Sequence, residues 1–264
     1  TARPSSASIV PTFNIVNPTR ITAGNIYLKP VTKESVTTTY RGSWGKARFN
    51  GWLFGDYSSN SQVSAIWFDE NSVRYSIPVN TKKPSYSYSS DFNFFTPLSK
   101  DGKLQLSVNG GFGVNRSVSY QSKGSLDGID LDSFDYTGFM DNFWGDASGD
   151  RFYSGQSGFQ ESLTRILRTD LSIELTLNLE RFSVQLAPAV NNSRSRYSLD
   201  SRANTNYWET FLSISPSYTS PHEFEFQSDF SYRILRGYGS GYNDDYVRWN
   251  FSVGKNIKSF NITL

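Results

Sequence analysis

The sequence predicts an all-β chain, an antiparallel up-and-down transmembrane β-barrel with about ten strands in these 264 residues. Three features point there. Side chains alternate between apolar and polar over unusually long stretches, tight turns alternate with long polar connections, and the apolar surface comes mainly from aromatic rings.

The clearest strand is LTRILRTDLSIELTLNL. Leu163, Leu167, Leu171, Ile173, Leu175, Leu177 and Leu179 share one parity, while Thr164, Arg168, Asp170, Ser172, Glu174, Thr176 and Asn178 share the other. Period two over that length means one greasy and one wet face. At about 3.3 Å per residue the stretch would exceed about 50 Å, far beyond the usual strand of a soluble domain. In HEFEFQSDFSYRI, Phe224, Phe226, Phe230, Tyr232 and Ile234 face one way, and Glu223, Glu225, Gln227, Asp229, Ser231 and Arg233 the other. DYVRWNFSVG sets Val247, Trp249, Phe251 and Val253 against Tyr246, Arg248, Asn250 and Ser252. KLQLSVNGGFGV sets Leu104, Leu106, Val108, Phe112 and Val114 against Gln105, Ser107 and Asn109. Leu171, Ile173, Phe224 and Phe226 are therefore expected on the outer face.

Tight turns are expected at Ser43 to Ala47, Thr96 to Lys103, Leu179 to Phe182, Thr219 to Glu223 and Gly254 to Ser259. Between them lie longer polar connections, Asp69 to Pro84, Tyr120 to Phe159, Asn191 to Asn206 and Arg236 to Asp245. Short and long alternate, as periplasmic turns and extracellular loops do in outer-membrane barrels. Trp44, Trp52, Phe94, Phe95, Trp208, Tyr218 and Trp249 lie near strand ends, where interfacial girdles would place them.

Hydrophobic residues make up 37% of the chain and aromatics 16%, a recipe that suits pleated, half-buried strands better than a helical bundle. The formal net charge of +2 is spread along the chain, which gives nucleic-acid binding no support. With no Cys and one His, thiolate chemistry and multi-histidine metal sites are excluded. No apolar run is long enough for a transmembrane helix, a test to which alternating strands are blind. The opening TARPSSASIV lacks the charged start and apolar stretch of an export signal, which is expected to be removed or to lie outside these residues.

Residues 1–33 read as an extracellular loop and strand lead-in, and 34–264 as one domain of barrel strands with tight periplasmic turns and long extracellular loops. Within the lead-in, Pro30 pushes Lys29 toward an extended conformation and launches a strand. The order Arg3-Pro4, Pro11, Asn17-Pro18 and then GNIYLKP resembles the segment before a late barrel strand in TonB-dependent outer-membrane receptors, and especially the related Bacteroidetes-type barrel proteins. Their usual wording is close to GNPxLKPE. Gly24, Asn25, Leu28, Lys29 and Pro30 match, whereas Ile26 replaces Pro and Val31 replaces Glu.

The resemblance implies a larger barrel of about 22 strands closed around an N-terminal plug domain, absent from this sequence. It also implies location in the cell outer membrane of a Gram-negative bacterium and uptake of a nutrient such as a siderophore, glycan or peptide. The implied partners are outer-membrane lipid, the plug of the same full-length chain, TonB acting through that plug, and a surface lipoprotein of the kind that caps glycan-importing relatives. No nucleic acid is among them. The final NIKSFNITL stops part-way into what should be a strand, so the chain is expected to be the C-terminal part of a receptor without its last strands.

The long loop holds Asp127, Asp130, Asp132, Asp135, Asp141, Asp146 and Asp150. Ca²⁺ takes oxygen ligands of this kind, but the spacing is not that of an EF-hand, and a solvated acidic loop with no cofactor is the preferred reading. Its rings Phe134, Tyr136, Phe143, Trp144, Phe152 and Tyr153 could stack on a ligand or pack the loop on itself, and self-packing is preferred. Arg194, Arg196 and Arg202 could fork onto an anionic ligand or a lipopolysaccharide phosphate, against ordinary solvation. Ligand-contact candidates are thus Phe143, Trp144, Tyr153, Arg194, Arg196, Arg202, Tyr238 and Tyr242.

No enzyme activity is expected. Gly110, Gly111 and Gly113 precede strand rather than a helix N-terminus, so they read as small residues in a crowded wall. His222 sits beside Pro221 in a tight turn with no nucleophile and acid converging on it. Glu174, Glu225, Asp229, Arg168, Arg233 and Arg248 are expected to cross-pair inside the lumen. Two alternatives stand beside the receptor reading. One is a self-contained outer-membrane barrel acting as porin, adhesin or membrane enzyme, and the other is a soluble aromatic-rich β-domain that binds carbohydrate.

Overall fold

The computed structural model describes residues 1–122, 159–239, 241–257 and 260–263, with side chains up to residue 255. After the single helical turn α1 (Ser6–Ile9) come β1 (Phe13–Asn17), β2 (Arg20–Ala23), β3 (Thr32–Trp44), β4 (Ala47–Ser59), β5 (Gln62–Phe68), β6 (Arg74–Asn80) and β7 (Ser85–Pro97). They are followed by β8 (Leu104–Ser122), β9 (Phe159–Asn178), β10 (Phe182–Tyr197), β11 (Thr205–Thr219), β12 (Phe224–Arg236), β13 (Asp245–Ile257) and β14 (Phe260–Thr263).

Ten of these strands form the wall, antiparallel at every step, in the order β3-β4-β7-β8-β9-β10-β11-β12-β13-β14. Register explains why the alternation is so clean. Leu104, Leu106, Val108 and Val114 of β8 lie opposite Leu177, Leu175, Ile173 and Leu167 of β9. Leu175 lies opposite Leu186 of β10, which faces Ile214 of β11 and through it Phe230 of β12 and Trp249 of β13. A one-residue slip anywhere would mix the faces. Val36, Leu53, Phe92, Phe112, Leu171, Ile173, Phe224, Phe226, Phe230 and Phe251 of this face are all exposed. A continuous apolar surface of that extent suits lipid and not water.

From Leu167 to Leu177 the apolar band spans ten residue steps, and at about 3.3 Å per step with a tilt of about 40° it stands about 25 Å tall, the height of an outer-membrane band. Glycines in the wall lie beneath rings. A Cβ on Gly110 would sit 2.4 Å from the Phe92 ring, one on Gly55 2.8 Å from Tyr88, and one on Gly42 2.8 Å from Trp44. On the polar face a Cβ on Gly111 would meet Asp170 at 2.4 Å, so Gly110 and Gly111 serve a crowded wall, whereas a Cβ on Gly113 would have its nearest neighbour at 3.9 Å and this glycine is not explained by crowding. Among the described residues β3 pairs only with β4 and β14 only with β13, so the sheet is not closed.

Two long connections turn out to be shorter than expected. The stretch from Asp69 to Pro84 contains β6, which pairs with β5 as a hairpin inside the β4 to β7 connection. Asn60, at φ 54, turns the chain off the line of β4, and Asp69 closes the hairpin by accepting from the Val73 N–H at 2.8 Å. The Asn191 to Asn206 stretch is mostly strand, because β10 runs on to Tyr197 and leaves residues 198–204 as the loop. Above the band neither face needs to be apolar, so strand continues where hydropathy stops signalling it. Of the expected girdle, Trp52 and Phe95 have the parity of Asp56 and Arg48 and belong to the polar face, while Trp249 sits mid-strand.

β8 outruns β7, whose pairing stops at Tyr86 opposite Arg116. The free edge is taken by β5, parallel at Ala65 to Tyr120, and β6, β2 and β1 extend this branch. An unpaired edge is thereby covered. The buried core is here rather than in the wall: Ile21, Ala65, Trp67, Ile77, Val79, Val118, Tyr120 and Phe159. Trp67 stacks on Tyr75 at 5.3 Å and meets Phe159 edge-on at 5.9 Å. Within residues 1–31, GNIYLKP docks against this branch. Asn25, fully buried, donates to the Pro78 carbonyl at 2.9 Å and accepts from the Tyr27 N–H, and Asn80 clamps Lys29 through both backbone groups at 2.7 and 3.0 Å.

Candidate functional site

The wall has two ends. Turns of two to six residues, such as residues 45–46, 98–103 and 179–181, close one, and the longer connections and the β5–β6 branch gather at the other. The loop end, just past the apolar band, carries a concentration of positive charge. Arg165 follows Leu167 outward on β9, Arg116 follows Val114 on β8, and Arg196 lies opposite Arg165 on β10. Arg116, Arg165 and Arg196 therefore form one row across three neighbouring strands, on the outer face, with Arg194 one outward position nearer the band.

These side chains border a cleft of about 540 Å³ whose lining also includes Leu163, Ser198 and Asn206. Arg116 is held in place, donating from Nε and Nη2 to the Pro84 carbonyl at 3.0 and 2.6 Å, with its guanidinium 4.9 Å from the centre of the Tyr86 ring. Arg165, Arg194 and Arg196 are exposed. Among the described residues none of the three has a carboxylate partner, whereas Arg202 pairs with Asp200, Arg233 with Glu209 and Arg236 with Asp245.

The expected ligand residues are thus divided. Arg194 and Arg196 come together in the cleft. Arg202 is instead tied within its own loop, bonding Asp200 at 3.0 and 3.4 Å, and this guanidinium, with the Arg202 N–H, holds the Asp200 carboxyl below its usual range. Tyr238 stacks on Tyr207 at 4.4 Å, and Tyr207 shares the parity of the inward Glu209, so this pair sits apart from the arginine row. Tyr242 is 72% exposed and is not among the residues that line the cleft. Phe143, Trp144, Tyr153 and the seven loop aspartates lie outside the described residues. Arg116 and Arg165 escaped sequence reasoning, although Arg165 shows a signal, a charge on the parity of Leu163 and Leu167.

The inward face is mainly polar across β7, β8 and β9, with Ser87, Ser89, Asp91, Asn93, Ser107, Asn109, Arg168, Asp170, Ser172 and Glu174 on adjacent strands, and it also carries rings such as Trp52 and Phe95. A smaller cleft of about 390 Å³ opens by Gly113, bordered by Asp91, Arg168 and Asp170. Of the charges expected to cross-pair, Arg233 does so, but with Glu209, which the expectation had not included, and with the Tyr246 hydroxyl. Glu174 accepts from Thr176 and Asp229 from Gln227, neighbours on their own strands. His222 is exposed in the β11 to β12 turn. Among the described residues no group of three or more His, Asp and Glu side chains is placed to hold a metal ion.

A tall antiparallel wall, apolar outside and polar inside, defines an outer-membrane β-barrel protein. Residues 1–145 match the model of the outer membrane protein beta-barrel family, and the chain belongs to that family. No curated protein and no solved structure matches it. Membership places the chain in the outer membrane and sets aside the soluble carbohydrate-binding reading.

Proposed function

We propose that this chain forms part of the wall of a plugged outer-membrane receptor that takes up a nutrient, such as a siderophore, glycan or peptide, with energy from TonB. The carrying observation is the unclosed sheet. Among the described residues ten strands present a broad polar face, yet β3 and β14 each keep an unpaired edge, and hydrocarbon does not tolerate such edges. Further strands that complete the ring would give a barrel wide enough for a plug. The GNIYLKP stretch, seated at the loop end, supports the same reading. A receptor of this kind moves its cargo by gating, without bond chemistry, and a lipoprotein lid would sit over the loop end.

The test is the intact mass of the native protein from an outer-membrane fraction. A mass several-fold above 29.8 kDa supports the receptor. A mass near that value, with cross-links joining β3 to β14, overturns it in favour of a self-contained ten-strand barrel acting as porin or adhesin.

A further inference from the structure

We propose that Arg165, Arg194 and Arg196, with Arg116 as a fixed anchor, bind the phosphate of a glycolipid in the outer leaflet of the membrane. Like charges directly across a β-ladder repel, and here two such juxtapositions follow one another, Arg116 with Arg165 and Arg165 with Arg196. The other rim cations described above are neutralised by carboxylates, and among the described residues this row is not. An anion shared by the row converts the repulsion into charge-assisted hydrogen bonds, and guanidinium forks match phosphate oxygens.

Position identifies the source of the phosphate. The row faces outward, away from the lumen through which a soluble anion would pass. Arg165 lies seven residues from the centre of the apolar band, which at about 3.3 Å per residue and a tilt of about 40° puts it about 18 Å from the mid-plane, just outside a hydrocarbon half-thickness of about 15 Å. That is the headgroup layer, and the loop end faces the cell exterior. Arg116 gives the site a rigid side, because the Pro84 carbonyl and the Tyr86 ring fix its guanidinium while leaving other N–H donors open. This inference rests on the outer-membrane location and not on the uptake reading.

The test uses the full-length protein in detergent micelles, titrated with bis-phosphorylated lipid A and followed by native mass spectrometry. The wild type is expected to retain the lipid, and R165Q/R196Q to bind about tenfold more weakly or less, as loss of two charge-assisted contacts implies. Arg168→Gln on the inward face is expected to bind as the wild type does. Heat-dependent gel mobility shows that each variant is folded, and Arg194→Gln provides a milder variant if the double one is not. Equal retention by wild type and folded R165Q/R196Q overturns the proposal, as does equal binding of dephosphorylated lipid A. Displacement by free inorganic phosphate at the same concentration as by lipid A also overturns it, since the site would then take a free anion.

Discussion

Ile173→Arg tests the assignment of faces most directly. Ile173 lies one residue from the centre of the Leu167 to Leu177 band, opposite Val108, and its side chain is 38% exposed on the outer face. One step of about 3.3 Å at a tilt of about 40° leaves it about 2.5 Å from the mid-plane, and the nearer edge of the band is then about 10 Å away. Snorkelling over that distance is strained, so the upper part of the range for a lipid-facing arginine applies, about 2 to 4 kcal/mol. The assay is equilibrium unfolding in guanidinium of the intact protein in phospholipid vesicles, followed by tryptophan fluorescence. Ser172→Arg is the control, because it faces Asp170 and Glu174 on the polar side and should cost little. The face assignment fails if Ile173→Arg unfolds at the wild-type midpoint, or if Ser172→Arg is the more damaging of the two.

Three further outcomes follow from the geometry. Arg165→Gln should raise stability by about 0.2 to 1 kcal/mol in phosphate-free detergent, because it relieves two like-charge pairs, and a lower denaturation midpoint would contradict this. Gly24→Ala puts a Cβ 2.0 Å from the Val10 carbonyl oxygen, backbone that cannot swing aside, so about 1 to 3 kcal/mol is expected, read as faster hydrogen exchange at the Asn25 amide now bonded to Ser8. Asp101, in the β7 to β8 turn, has its carboxyl lowered to about 2 by hydrogen bonds from Ser99 and Lys103. A lowered carboxylate stabilises the fold above the unfolded value of about 3.9 and loses that contribution as pH falls toward 2, so its carbon chemical shift should titrate well below that of a free Asp.

The wall was legible because lipid imposes a rule. Outward positions of the band are apolar with few exceptions, Thr169 among them, so parity in LTRILRTDLSIELTLNL reports both strand and face without knowledge of partners. Where the rule lapses, the reading fails. SRSRY of β10 has polar residues on both parities, so hydropathy does not mark it as strand, although register keeps it in the ladder to Tyr197. β6 lies in the stretch read as a polar connection, yet Tyr75, Ile77 and Val79 alternate, and Pro78 stands at a position whose carbonyl is used by Asn25. The arginine row required register across three strands, which spacing within one segment does not contain. The same holds for Glu209 and Arg233, 24 residues apart in sequence and paired only because the β11 to β12 turn sets their alignment.

Two kinds of cohesion meet in this chain, and their boundary explains where a recognisable motif survives. Below the rim, side chains are sorted by solvent, and many sequences satisfy the same alternation. Above it the β1-β2-β6-β5 branch has a dry core and named contacts. Gly24 is fixed by the approach of the Val10 carbonyl, Asn25 by the Pro78 carbonyl, and Lys29 by both ends of the Asn80 amide. Ile26, which departs from the proline of the motif that this stretch resembles, is 53% exposed and free of such demands. The matching positions of GNIYLKP thus include those whose atoms are constrained individually, which is why the resemblance was carried by the lead-in to β3 rather than by the wall.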